Sequence, residues 1–175
     1  FEDSREVSVE RYSSEAIMGR WLRSRGCRRE MTLGTKVSTG GTPENVISEL
    51  GRSLERLNTD FVDLYYMHIP NDDGVPISET LDALTRQVET GRVRAIGCSN
   101  YSGEQLQEAL DASVEGGYRR FEMVQPMYSL IARDAESSIF PICRSEEVAV
   151  STYSPLAAGL LSGTMLQNSQ SARSG

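Results

Sequence analysis

Apolar residues follow two alternating patterns along this chain. In short runs they are almost continuous, which predicts buried strands, and in longer stretches they recur every three or four positions, which predicts amphipathic helices. Five short runs begin near residues 31, 61, 93, 121 and 148, at spacings of 30, 32, 28 and 27. Such regular strand–helix alternation predicts parallel strands that are joined by right-handed crossovers.

The intervening segments carry the start and stop signals of helices. Predicted strands cover 31–37, 61–68, 93–99, 121–125 and 148–153. Helix boundaries are indicated by a serine cap before a glycine stop, a threonine–proline start, a closing glycine and a capping box. These signals are Ser13 and Gly26, Thr42 and Pro43, Gly91, and Ser102 with Gln105. A last helix before the fifth strand contains Ile139, Ile142 and Cys143.

A parallel sheet of this kind is either open and doubly wound or closed as a (β/α)8 TIM barrel. No GxGxxG sequence follows any of the five strands, which argues against an open dinucleotide-binding sheet and favours the barrel. A complete barrel has eight strand–helix units in about 250 residues. We therefore expect 1–175 to form one partial barrel domain that is incomplete at both termini.

Composition narrows the class of function. The 175 residues are 38% hydrophobic and 25% charged, with a net charge of -7. This charge argues against a nucleic-acid-binding surface, because contact with phosphates needs clustered Lys and Arg. The one basic cluster, at positions 20, 23, 25, 28 and 29, is predicted to be a solvated helix face. Three cysteines without metal-ligand spacing favour a reducing compartment and no metal. With no signal peptide or membrane span in the sequence, we predict a cytoplasmic protein.

The candidate chemistry lies where the predicted strands end. His68, the only histidine, follows a run in which six of seven residues are apolar or aromatic, and Pro70 ends that run. The carboxyl ends of parallel strands share one face, which is where α/β barrels carry their sites. The other polar strand ends are Lys36, Ser99 with Asn100, Gln125, and Tyr153 with Ser154.

These side chains suit carbonyl and amide chemistry. A lysine lowers the pKa of a nearby phenol, and a neutral imidazole donates a hydrogen bond to a substrate oxygen. Two amides can hold a planar carboxamide, and an aromatic ring can stack on a flat ring. Each side chain alone also has a structural interpretation, and Cys98 lacks a base partner that would make it a nucleophile. The prediction rests on five polar strand ends in one register.

At these residues the sequence resembles the aldo-keto reductases. The matching segments are SSEAIMGRWL, TLGTKV, SLERLNTDFVDLYYMH, GRVRAIGCSNYS, VQPMYSL and STYSPLAAGLLSG, which cover most of the chain from Ser13 to Gly163. The branch that it resembles most includes bacterial and fungal reductases and the β-subunits of voltage-gated potassium channels. The resemblance implies NADPH-dependent reduction of an aldehyde or ketone, with an Asp, Tyr, Lys and His tetrad.

The resemblance also implies the role of each site residue. Lys36 and His68 match the lysine and histidine of the tetrad, and Asp3 matches its aspartate. Residues that match positions around the nicotinamide and the cofactor phosphates are Ser99, Asn100, Gln125, Tyr153, Ser154, Leu156 and Gly159.

Two departures from the family pattern bear on catalysis. Ser8 stands in the place of the proton-donating tyrosine, and the nearest phenol is Tyr12, nine residues after Asp3 rather than five. The family's last segment, which binds the adenosine 2'-phosphate, has no counterpart in the chain. Three alternatives therefore stay open: an NADPH-dependent carbonyl reductase, an NADP(H)-binding regulatory or assembly subunit, and a partial chain that binds nothing. The substrate is not predicted, and a homo-oligomer is one option.

Overall fold

The computed structural model describes residues 13–71 and 74–163. In this part of the chain five parallel strands form one sheet in the order β1-β2-β3-β4-β5. Their bounds are β1 Gly34–Val37, β2 Val62–Met67, β3 Val93–Ser99, β4 Met123–Gln125 and β5 Ala149–Val150. A doubly wound sheet reverses its strand order at a switch point, whereas here each strand lies beside its neighbour in sequence. The sheet thus has the winding of a (β/α)8 barrel, as predicted.

Helices separate the strands and cover one face of the sheet. They are α1 Ser14–Arg25, α2 Pro43–Leu57, α3 Ile77–Glu89, α4 Gly103–Gly116, α5 Ala135–Ser138 and α6 Phe140–Ser145, with 3-10 turns at Arg28–Glu30 and Ala157–Ser162. The predicted caps at Ser13, Thr42 and Ser102 all accept hydrogen bonds from the first helical turn. None of the helices in the described ranges is both long and apolar enough to cross a membrane.

Prolines explain two differences from the predicted elements. The single helix expected around Ile139 is divided into α5 and α6, because Pro141 has no N–H and clashes with the preceding turn, so it can only start a new helix. The fifth strand is shorter than 148–153, because Pro126 in the neighbouring segment cannot donate a ladder hydrogen bond. Pairing resumes at a single bridge between Met127 and Tyr153.

The core lies between the sheet and the helices. Alternate residues of β2 point to opposite faces, and the Tyr65 hydroxyl donates a 3.0 Å hydrogen bond to the Val46 carbonyl of α2. Tyr65 therefore identifies the helix side of the sheet, where Leu50 of α2 and Leu81 and Leu84 of α3 are fully buried. Tyr66 and His68 accordingly point to the opposite, inner face, which is the lumen side of a barrel.

On the inner face, Tyr66 reaches across β3. Lys36, Tyr66, Gly97 and Met123 stand at one level in the register of four neighbouring strands. The Tyr66 hydroxyl donates a 2.8 Å hydrogen bond to the Met123 sulfur, so the ring passes directly over Gly97. Only glycine leaves room for the ring at this point, because a Cβ on residue 97 would lie 2.8 Å from Cε1 of Tyr66.

The predicted arginine face is only partly correct. Arg20, Arg23 and Arg25 are exposed on α1, but Arg28 lies beyond that helix and is partly buried. Its guanidinium donates a 2.9 Å hydrogen bond to Asp63 of β2 and stacks 4.1 Å from the centre of the Phe61 ring. The left-handed backbone of Gly26 ends the helix, as its sequence signal indicates, so Arg28 lies outside the helix face that carries the other arginines.

Asp63 is a buried carboxylate that joins three segments. It accepts hydrogen bonds from the Leu33 backbone N–H at 2.9 Å, from Arg28 at 2.9 Å and from Arg94 at 2.7 Å. Burial opposes its ionisation, but these donors outweigh burial and lower the pKa of Asp63. Glu15 anchors α1 similarly: burial is outweighed by hydrogen bonds from Thr35, Arg56 and Ser53, so the pKa of Glu15 is also lowered.

We predict opposite effects of alanine at two glycines. Gly97→Ala places a Cβ 2.5 Å from the Met123 carbonyl oxygen, so it should destabilise the fold by about 1–3 kcal/mol through overpacking. In Gly51→Ala the new Cβ meets only an Arg92 nitrogen at 3.6 Å, and alanine in a helix should add about 0.5–1 kcal/mol. Urea unfolding checks both, and equal stability of the two variants would contradict the packing of Tyr66 over Gly97.

We predict that Asp63→Asn lowers the free energy of unfolding by about 3 kcal/mol at pH 7, because Arg28 loses its buried partner. The pKa of Asp63 is lowered on folding, so its contribution is present above the unfolded pKa, near 4, and is lost as the pH falls below it. The variant should therefore lose less stability between pH 5 and pH 2 than the wild type. Asp82→Asn, at an exposed pair with Arg86, is the control and should cost at most about 1 kcal/mol.

Candidate active site

The five polar strand ends lie along one edge of the sheet. Ser99 pairs in register with Gln125, and His68 directly follows Met67, which pairs with Cys98. Lys36 pairs with Tyr66, two residues before His68 on the same inner face. The structure thus brings the predicted residues of β1 to β4 to the carboxyl edge, and the bridge to Met127 adds Tyr153.

Asn100 connects three of these strand ends. Its backbone is left-handed, with φ of 59°, a conformation that asparagine adopts more readily than most residues. The side-chain amide donates a 2.8 Å hydrogen bond to the His68 carbonyl and accepts a 2.7 Å hydrogen bond from the Tyr153 hydroxyl. Asn100 therefore fixes the backbone after β2 and the tilt of the Tyr153 ring after β5.

Ser99 and Gln125 form a second connection, between β3 and β4. The buried Ser99 hydroxyl donates a 2.8 Å hydrogen bond to the Gln125 backbone carbonyl and accepts one of 3.3 Å from Asn100. The side-chain amide of Gln125 is half-buried and makes no hydrogen bond to any other described residue. Gln125 thus presents an amide whose donors and acceptor remain available to a ligand.

His68 is held at its backbone and at its ring. Its N–H donates to the Val37 carbonyl at 3.0 Å, and its Nδ1 lies 2.8 Å from the hydroxyl oxygen of Ser38. Ser38 was not singled out from the sequence. The signal that could have found it is its position: it directly follows β1, as His68 directly follows β2, so parallel register places the two side by side.

Lys36 lies deeper on the inner face than His68. Its ammonium is 5.5 Å from the centre of the Tyr66 ring, and no described carboxylate forms an ion pair with it. A half-buried lysine on this face can act on a group that enters from the carboxyl edge. The predicted tetrad members Asp3 and Tyr12, and Ser8, lie outside the described residues.

The loop after Tyr153 has an unusual backbone. Left-handed φ values occur at Ser154 (57°), Ala157 (47°), Ala158 (53°) and Gly159 (95°). Left-handed non-glycine residues each cost of order 1 kcal/mol or more, and their concentration in one short loop is typical of ligand-binding segments. The predicted residues Ser154 and Leu156 are exposed there, whereas the N–H groups of Ala157 and Gly159 donate to the Ser154 and Leu156 carbonyls within the loop.

The three cysteines take no part in this arrangement. Cys98 is fully buried on β3, and burial raises the pKa of its thiol, which makes it a poor nucleophile. Within residues 13–71 and 74–163, no three His, Cys, Asp or Glu side chains are placed to hold a metal ion. The edge itself presents an ammonium, an imidazole, the free amide of Gln125 and a phenol ring.

Comparison with known proteins identifies the family. The family model for the aldo/keto reductase family matches residues 8–174. Aldo-keto reductase YhdN of Bacillus subtilis is 32% identical over 163 residues, 88% of this chain and 47% of that protein. The NADH-specific methylglyoxal reductase of Escherichia coli is 33% identical over 129 residues, 73% of this chain and 38% of that protein.

A third relative is named as a channel subunit and not as a reductase. A probable voltage-gated potassium channel subunit beta of Arabidopsis thaliana is 33% identical over 165 residues, which are 86% of this chain and 48% of that protein. The matched part of the chain thus spans between 38% and 48% of the length of these three curated relatives. The match to the family model extends over almost the entire sequence and includes every strand of the sheet. This chain belongs to the aldo/keto reductase family.

Proposed function

We propose that this chain carries the active site of an NADPH-dependent reductase that converts an aldehyde or ketone to an alcohol. The observation that supports the proposal most is the hydrogen-bonded edge formed by His68, Ser99, Asn100 and Tyr153, beside the unpaired amide of Gln125. Isolated polar side chains at strand ends would be solvated independently. Here they hold one another in place, which is what a site of fixed geometry requires.

Lys36 and His68 are proposed to act on the carbonyl. His68 orients the carbonyl oxygen through a hydrogen bond, and Lys36 lowers the pKa of the group that donates the proton. Asp3 is proposed to support Lys36. The proton donor is proposed to be Tyr12, because Ser8 stands in the place of the family's tyrosine. Bound NADPH would supply the hydride.

The cofactor's carboxamide is proposed to bind mainly through Gln125. Ser99 and Asn100 match the same family site, but the hydroxyl hydrogen of Ser99 and both amide hydrogens of Asn100 already form hydrogen bonds within the protein. The Asn100 oxygen keeps one lone pair for a ligand, whereas the Gln125 amide keeps all of its donors and acceptors. Tyr153, whose hydroxyl is held by Asn100, is proposed to present its ring to the nicotinamide.

The loop with left-handed backbone is proposed to receive the cofactor's phosphates through Ser154, Leu156 and Gly159. Leu156 has φ of -97° and ψ of 11°, and the next residue is left-handed. The N–H groups of Ala157 and Gly159 already donate to the Ser154 and Leu156 carbonyls. The proposal therefore relies on the Ser154 hydroxyl, on the Leu156 N–H and on the open space beside Gly159. NADP rather than NAD is part of the proposal; the E. coli relative is named NADH-specific, so both cofactors have to be compared.

A regulatory or assembly subunit is the second candidate. It would bind NADP(H) with little or no catalysis, and its support is Ser8 at the tyrosine position together with the similarity to a potassium channel subunit beta. A serine hydroxyl is a poor general acid because its pKa is far above that of a phenol. The cytoplasmic location and a homo-oligomeric state remain predictions.

We predict that Gln125→Leu weakens NADPH binding by about tenfold or more, because the carboxamide loses its main partner while the side chain keeps its volume. Quenching of nicotinamide fluorescence measures the affinity, and NADH is titrated in parallel. Gln107→Leu is the matched control, since Gln107 bonds only Asp111 on the exposed side of α4. Equal NADPH affinities of the two variants would rule out Gln125 as the carboxamide partner.

We predict that Ser8→Tyr raises the rate of aldehyde reduction by about 100-fold or more, the usual contribution of a general acid, if Ser8 stands where the phenol is needed. Loss of NADPH absorbance with a simple aldehyde measures the rate, and Lys36→Met in the same background should abolish the gain. Binding of NADPH without turnover in the wild type, together with a gain in Ser8→Tyr, favours the regulatory subunit. Turnover by the wild type that Tyr12→Phe removes favours the reductase with Tyr12 as the donor.

A further inference from the structure

The last residue of β1 and the residue that follows it hold both the backbone and the ring of His68. The Val37 carbonyl accepts the His68 N–H at 3.0 Å, and the hydroxyl oxygen of Ser38 lies 2.8 Å from Nδ1 of the imidazole. From the other side, Asn100 donates a 2.8 Å hydrogen bond to the His68 carbonyl. Because the backbone is fixed on both sides, the Ser38 contact fixes the remaining freedom, which is the rotation of the ring.

The contact also decides which ring nitrogen carries the proton. A neutral imidazole has one N–H donor and one acceptor nitrogen, and the partner of one nitrogen sets the state of the other. If Ser38 donates to Nδ1, then Nε2 bears the hydrogen and can donate to a ligand. If Ser38 accepts from Nδ1, then Nε2 is an acceptor and cannot bind a carbonyl oxygen.

We infer that Ser38 is a positioning residue that donates its hydrogen to Nδ1 of His68 and thereby keeps Nε2 protonated toward the active site. The inference rests on the proposed function, because a carbonyl oxygen needs a donor at Nε2. In the described part of the chain Nδ1 of His68 is the partner of this hydroxyl, so donation there uses the hydroxyl's single hydrogen. No other described side chain hydrogen bonds to the ring.

A structural role for Ser38 alone would have a different signature. Ser38 is exposed and lies outside the core, so its removal should leave the stability of the fold almost unchanged. An effect on the tautomer of His68 without an effect on stability would therefore be the mark of positioning. Partners that fix the tautomer of a metal-bound histidine typically contribute about 10–100-fold to activity, and we expect an effect of the same order for Ser38.

The sequence makes the tautomer directly measurable. His68 is the only histidine in the 175 residues, so a nitrogen-15 NMR spectrum that correlates ring protons with ring nitrogens reports one imidazole without assignment. The chain is prepared with a tag that contains no histidine, and spectra are recorded at increasing pH until the ring shifts no longer change. We expect the wild type to show a protonated Nε2 and an unprotonated Nδ1.

Three variants complete the test. In Ser38→Ala the nitrogen shifts should move toward those of a tautomer mixture, and Ser38→Thr, which keeps the hydroxyl, should restore the wild-type shifts. Ser48→Ala is the matched control, because Ser48 is an exposed serine that bonds only the Asn45 carbonyl. Urea unfolding of all three shows whether any shift reflects loss of the fold. A protonated Nδ1 in the wild type, or identical shifts in Ser38→Ala and the wild type, would overturn the inference.

Turnover separates this inference from the proposed function. With an aldehyde and NADPH, Ser38→Ala should lower kcat by about tenfold with a smaller change in the KM for NADPH, and Ser38→Thr should recover most of the loss. An unchanged kcat alongside an altered tautomer would overturn the positioning role. Absence of turnover in the wild type and in Ser8→Tyr would instead overturn the proposed function, while the NMR spectra still decide where the proton lies.

Discussion

The parallel register of β2 with its two neighbours is the constraint on which the candidate site depends. Side chains alternate between the two faces of a strand, so a shift of one residue would move every inner residue to the helix side. Two adjacent tyrosines hold this register from opposite faces. The Tyr65 hydroxyl donates a hydrogen bond to α2, and Tyr66 extends across the inner face to Met123. Asp63 adds a charged anchor at the start of the strand, where three donors meet its carboxylate.

The polar edge of the sheet follows from this register. Strand ends carry unpaired backbone groups, and a protein can satisfy them with water or with side chains. Here the side chains of Ser99 and Asn100 satisfy backbone carbonyls of the two neighbouring strand ends. The same bonds that complete the sheet therefore orient the residues of the candidate site, so stability and site geometry are coupled at this edge.

Much of this arrangement could be predicted from the sequence, because its signals are local. Capping residues and apolar periodicity gave the boundaries of α1, α2 and α4, and the spacing of apolar runs gave the parallel winding. Where the predictions were wrong, the causes are interactions of single residues that the periodicity of apolar positions does not show. Pro141 divides the predicted helix into α5 and α6, and Pro126 interrupts the hydrogen bonding between β4 and β5. Arg28 is partly buried and not solvated, because it binds a carboxylate that is 35 residues away in sequence. Ser38 was missed because its partner is set by register and not by a motif.

Tyr66 has a consequence for what the inner face can accommodate. Its ring lies beside Lys36 and over Gly97, and only 5% of the residue is exposed, so it closes the inner face below the ammonium. The inner face is therefore filled at this level by an aromatic residue of a buried strand and not by the loops that follow the strands. A smaller residue at position 66 would open space beside Lys36 without a change in any of those loops.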